Sequence, residues 1–84
     1  MLNIKVLGPG CENCHKVEEA VRAAVAELGL TADIVKVTDR AEFARYNLLA
    51  TPGLVINEKL VAAGRIPSVA EVKVLVERAM AAVP

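Results

Sequence analysis

An apolar run from Leu2 to Leu7 breaks at Gly8-Pro9-Gly10 and gives way to a helical pattern that opens on both cysteines of the chain, Cys11 and Cys14. This junction limits the possible folds more than any other stretch. Pro9 and Gly10 suit a tight turn at the end of a strand. The turn sets Cys11 at the mouth of a helix, where unpaired N–H groups and the helix dipole favour an anion. A thiolate is such an anion, and it is the reactive form of cysteine. Behind it, Cys14, Val17, Val21, Val25 and Leu28 recur at helical spacing as one apolar stripe. Cys14 lies on that stripe and Cys11 does not, so the pattern predicts an exposed first sulfur and a buried second one. The helix is expected over Cys11 to Leu28, with Glu12–Lys16 and Glu18–Arg22 as acid-to-base pairs on its outer side. Gly29 is a ready left-handed cap.

The remaining segments follow in a readable order. Thr31 to Val37 predicts a second strand, rich in β-branched residues. Asp39-Arg40-Ala41-Glu42 has the form of a capping box, opening a short helix that carries Phe43 and ends near Asn47 or Leu48. Leu54-Val55-Ile56 reads as a strand that Asn57-Glu58 could turn into Lys59 to Ala63. Gly64 to Pro67 is a loop, and Ser68-Val69-Ala70-Glu71 caps a last helix with Val69, Val72, Val76, Ala79 and Met80 on its buried side. The order βαβαββα predicts an α/β fold: a right-handed parallel unit followed by an antiparallel hairpin, making a four-stranded mixed sheet flanked by helices.

A chain of 84 residues forms one small domain, residues 1–84, with a lean core. Ten basic and ten acidic side chains leave no net charge, and Phe43 and Tyr46 are the only aromatics. Nucleic acid and anionic membrane surfaces are therefore not expected partners. No apolar run approaches the roughly 20 residues that span a bilayer, and no signal-peptide layout is visible. A disulfide between Cys11 and Cys14 would close too small a loop to staple the fold. Chemistry explains the pair better than stability, and a cytoplasmic setting follows by default.

With that order in hand, the chain resembles the thioredoxin-like superfamily in its small, glutaredoxin-sized form, close to the archaeal and bacterial redox-active disulfide proteins. The resemblance rests on Gly10-Cys11-Glu12-Asn13-Cys14-His15 after the first strand, Thr51-Pro52 before the third, and Gly64-Arg65-Ile66-Pro67-Ser68 before the last helix. It implies a thiol–disulfide oxidoreductase, that is, a protein disulfide reductase. Cys11 is then the nucleophile, Cys14 the resolving thiol and Pro52 a cis proline beside the sulfurs. Thr51 would offer backbone groups to an incoming substrate strand. The implied partners are disulfide-containing proteins and a flavin-dependent donor of the thioredoxin-reductase kind, with the protein itself a monomer that needs no bound cofactor. Gly10 stands where thioredoxin has Trp, Glu12-Asn13 replaces Gly-Pro, Gly53 replaces Thr after the proline, and Ala63-Gly64 replaces the Gly-Gly pair through which glutaredoxins hold glutathione.

A second reading of the same residues is a copper(I) or zinc carrier, since Cys-x-x-Cys also suits soft metals. His15 could be a third ligand, but no further Cys or His exists to close a zinc site, so no metal is assigned. A heavy-metal-associated domain would finish on a strand and carry Met two residues before the first cysteine, where this chain has Pro9. Two side chains could tune the sulfurs. The charge of Glu12 disfavours a Cys11 thiolate and opposes the helix dipole, which predicts a reductant more than a strong oxidant. His15 as imidazolium would favour the thiolate, or it is simply a solvated helix residue. Tyr46 and Phe43 read as core, and Arg65 as a loop charge.

Overall fold

A computed structural model of the protein describes residues 2–10, 12–48 and 50–81. Its elements are β1 (Leu2–Leu7), α1 (Glu12–Leu28), β2 (Ala32–Val37), α2 (Arg40–Arg45), β3 (Gly53–Ile56), β4 (Lys59–Ala63) and α3 (Val69–Ala81). The four strands form one sheet in the order β2-β1-β3-β4. β1 pairs parallel with β2 after the α1 crossover, and antiparallel with β3, which in turn pairs antiparallel with β4. The mixed sheet expected from the sequence is the one observed.

Alternation along the two central strands divides the core. Ile4, Val6, Leu54 and Ile56 face α1 and α3, and meet Val17, Val21, Val72 and Val76 there. Leu7 and Val55 point the other way and meet Phe43 of α2. The sheet therefore carries two helices on one face and a short one on the other, and branched aliphatics make up most of the core, with alanines, Cys14 and Phe43 filling the rest.

The ends of the elements are fixed by local chemistry. Gly29 takes a φ of 67°, and the Leu30 and Gly29 amides donate to the carbonyls of Val25 and Ala26. That pattern is the left-handed Schellman end of α1. Asn47, with φ 55°, closes α2 the same way, the Leu48 amide donating to Phe43 O. Asp39 caps α2 by accepting from the Ala41 amide, and Ser68 Oγ accepts from the Glu71 amide at 3.1 Å. Neither cap is reciprocal: Glu42 turns to Arg45 and Glu71 to Arg65. Asn57 and Glu58 both have positive φ, which suits the tight turn between β3 and β4.

Some expectations need correction. Met80 is 46 % exposed, whereas Leu75 packs against the core. The inner face of α3 is rotated toward Leu75, because the apolar residues of α3 that join the core are Val69, Val72, Leu75, Val76 and Ala79. Of the two i,i+4 pairs, Glu18–Arg22 forms at 2.8 Å. No Glu12–Lys16 ion pair is present among the described residues; Glu18 instead takes a second cation, Lys36 of β2, at 3.0 Å. Among the described residues no helix is long and apolar enough to cross a membrane.

Candidate functional site

The site is assembled at the end of β1 by sheet register. Leu7 is paired with Gly53 across the β1–β3 ladder, so Gly8 comes level with Pro52. On the other side, the Gly8 amide donates to Val37 O at 2.9 Å, carrying the β1–β2 ladder one residue further. The chain then turns through Pro9 and Gly10, whose φ of 90° a side chain would disfavour, and enters α1. Three segments distant in sequence thus meet at one sheet end: the β1–α1 turn, the β2–α2 connection and the loop before β3.

Cys14 sits in the first turns of α1 and is only 8 % exposed. It is buried because its helical position is shared with Val17 and Val21, both in the core. Its sulfur packs directly on the backbone of Gly8. A Cβ at position 8 would lie 2.1 Å from Cys14 Sγ and 4.0 Å from Pro52 Cα. Gly8 is therefore the spacer that lets sulfur and proline approach. The Thr51–Pro52 peptide bond is cis, Pro52 is buried and Thr51 exposed. The loop is held by the Gly64 amide, which donates to Pro52 O at 2.8 Å.

Cys11, the residue expected to attack, lies outside the described residues. Glu12, Asn13 and His15 are exposed around Cys14. His15 borders a small cavity of about 50 Å³ against Cys14, together with Val6, Gly8, Gly10, Lys36 and Thr38. Glu12 is exposed in the first turn of α1. A second, wider groove of about 430 Å³ opens on the α2 side of the same loops, between Pro9, Arg40, Phe43, Leu48, Ala50 and Thr51. Among the described residues no group of three or more Cys, His, Asp and Glu side chains could hold a metal ion.

Two features of the site leave little trace in the sequence. The role of Gly8 is a contact with a side chain six positions on, so its spacing does not set it apart from the neighbouring turn residues. The other is the pairing of Tyr46 with Lys5. Lys5 Nζ donates to Tyr46 Oη at 2.9 Å and meets Glu58 at 3.0 Å, while Tyr46 Oη donates to Glu58 at 2.6 Å. The hydrogen bond from Tyr46, then that from Lys5, holds the Glu58 carboxyl below the usual range. Tyr46 is thus half-buried and bonded, not a plain core aromatic; its signal was a lysine in the middle of an apolar strand. Arg65 pairs with Glu71, which fits its reading as a loop charge.

Comparison with known proteins gives the same placement. Residues 2–77 match the family model of the thioredoxin domain. A thioredoxin of Methanocaldococcus jannaschii is 45 % identical over 73 residues, which cover 87 % of this chain and 84 % of that protein. A thioredoxin of Methanothermobacter thermautotrophicus is 37 % identical over 73 residues, covering 87 % of this chain and 95 % of that protein.

Proposed function

The chain belongs to the thioredoxin family, and from that premise we propose that it is a protein disulfide reductase cycling between a Cys11/Cys14 dithiol and disulfide. The observation that carries this reading is the sulfur of Cys14, buried at the start of α1 and packed on Gly8 beside the cis Thr51–Pro52 bond.

The chemistry runs in two exchanges. The Cys11 thiolate attacks one sulfur of a target disulfide, forming a mixed disulfide and releasing the other target sulfur as a thiolate. Cys14 then gives up its proton and attacks Cys11, forming the intramolecular disulfide and releasing the second target thiol. The target gains two electrons and the pair loses them. A thiol donor restores the dithiol; a flavin-dependent reductase of the thioredoxin-reductase kind is the class proposed. Burial withholds Cys14 from outside disulfides and reserves it for the mixed disulfide formed at Cys11. Glu12, exposed in the first turn of α1, works against an over-stabilised thiolate and favours reduction of targets over their oxidation. His15 borders the cavity at Cys14 and is the second side chain proposed to tune the pair. Thr51 presents backbone groups to a substrate strand, and Pro52 forms the wall beside it. The setting proposed is cytoplasmic, with residues 1–84 acting as a single monomeric domain.

The test uses a target disulfide and the Cys14→Ser variant. The variant should accumulate a mixed disulfide at Cys11, visible by mass, while the wild type releases reduced target and ends as the internal disulfide. Release of reduced target by the variant at the wild-type rate would remove Cys14 from the mechanism.

A further inference from the structure

Among the described residues, the groove on the α2 side of the cis-proline loop is lined by Pro9, Phe43, Leu48, Ala50 and Thr51, with Arg40 as its one charged side chain. The carboxylates nearest to Arg40 along the chain are both engaged elsewhere. Asp39 accepts from the Ala41 amide and Glu42 pairs with Arg45 at 2.9 Å. Among the described residues no carboxylate pairs with Arg40 or with Arg78, whereas Arg22, Arg45 and Arg65 have such partners; of the two unpaired arginines only Arg40 lines the groove. Arg40 is also the first residue of α2, a position where a cation opposes the exposed N–H groups and gains no stability from them. Arg40 thus lines the groove with a charge that no carboxylate among the described residues matches.

We propose that Arg40 is a specificity-determining residue that selects disulfide-containing polypeptides bearing an acidic side chain next to the attacked cysteine. This rests on the reading of the chain as a disulfide reductase. A substrate strand laid along Thr51 would pass over the groove, setting a flanking side chain toward Phe43 and Leu48 and its carboxylate toward the guanidinium. Arginine offers a planar fork of N–H donors matched to a carboxylate. The exchange chemistry is unaltered; Arg40 touches the substrate and not the reacting sulfurs. Because the pair is solvent-facing, its contribution is modest, long-ranged and sensitive to salt.

The experiment uses three peptides with one internal disulfide each, alike except for Glu, Gln or Lys beside the attacked cysteine. Pre-reduced full-length protein is mixed with each, and the second-order rate constant for reduction is measured in single turnover at low and high salt. The expected order is Glu over Gln over Lys, with Glu favoured over Gln by roughly two- to fivefold and the ratio approaching one at high salt. Arg40→Gln should bring the ratio to one, Arg40→Glu should invert it, and Arg40→Lys should retain part of it. Reduction of all three at one rate, or an undiminished Glu preference in Arg40→Gln, overturns the role of Arg40 and leaves the reductase reading intact. Glutathione disulfide is run alongside as a fourth substrate, and its reduction faster than every peptide overturns the polypeptide target. Reduction of none of them overturns the reductase reading, and this inference falls with it.

Discussion

Cys14 and Gly8 share one volume: the cysteine sulfur occupies the space that any side chain at residue 8 would fill, a built Cβ coming to 2.1 Å from Sγ. The contact joins the end of the central strand to the start of the longest helix, and places the sulfur beside the Pro52 loop. Sheet register makes the approach possible, since Leu7 faces Gly53 and brings residue 8 level with Pro52.

Gly8→Ala should therefore be costly. The sulfur and Cys14 Cβ, the latter at 3.3 Å from the built Cβ, must both move, and the start of α1 with them. Overpacking of this kind costs about 1–3 kcal/mol, read as a fall in the urea midpoint, and it should slow thiol–disulfide exchange as well. Gly53→Ala is the control. Its added Cβ would meet Leu48 Cδ1 at 2.6 Å, the free end of a flexible side chain in a half-buried position. The second variant should lose less stability than the first; equal losses would contradict the special role of residue 8.

The cap of α3 gives a separate stability prediction. Ser68→Ala leaves the Glu71 amide without its acceptor, at a cost of about 1 kcal/mol. Because α3 packs on the face of the sheet remote from α2, exchange rates measured well below the melting temperature should stay near wild type. A large loss of exchange would mean that the loop from Gly64 to Pro67 depends on the cap.

Acid should weaken the fold through depressed carboxylates. Arg22, then Lys36, holds the Glu18 carboxyl below the usual range, and Glu58 and Glu71 are lowered by Tyr46 with Lys5 and by Arg65. A carboxyl with a lower pKa in the folded state binds fewer protons there than in the unfolded chain. Its stabilisation is complete above the unfolded value and is lost as pH falls through the folded one. The urea midpoint should thus be level near neutrality and drop below about pH 5. Glu18, whose side chain is 13 % exposed, joins α1 to edge strand β2. Glu18→Gln should cost about 0.5–1 kcal/mol at pH 7 and flatten the acid limb. An unchanged acid limb in that variant would assign the effect to the other carboxylates.

Chelation separates the two uses of a Cys-x-x-Cys. A reductase whose sulfurs carry electrons should keep its exchange rate after exhaustive treatment with zinc and copper(I) chelators. An activity lost on chelation and regained with metal would favour the carrier reading.

The fold was legible because period and punctuation agree: a strand pattern, a Pro-Gly break and a long apolar stripe ending at Gly29 leave little freedom in the first half of the chain. Local signals also placed Asp39, Ser68 and the Asn57-Glu58 turn. Contacts between distant segments were not legible. Met80 satisfies the helical period as well as Leu75 does, and only the direction from which α1 approaches decides between them. The fit of Cys14 on Gly8 depends on sheet register, which one-dimensional spacing does not encode. The extra residue Val61, which shifts the β3–β4 register between Leu54 and Val55, left no mark in the sequence either. The triad of Lys5, Tyr46 and Glu58 draws on three elements, and each member alone reads as ordinary.

The most direct measurement is a redox titration of the metal-free protein in graded dithiol/disulfide buffers, with thiols trapped by alkylation and counted by mass. The reductase account predicts a single reversible two-electron transition between a doubly alkylated and an unalkylated protein, with a midpoint on the reducing side. A protein that takes up two alkyl groups in every buffer, never forming the Cys11–Cys14 disulfide, would contradict it.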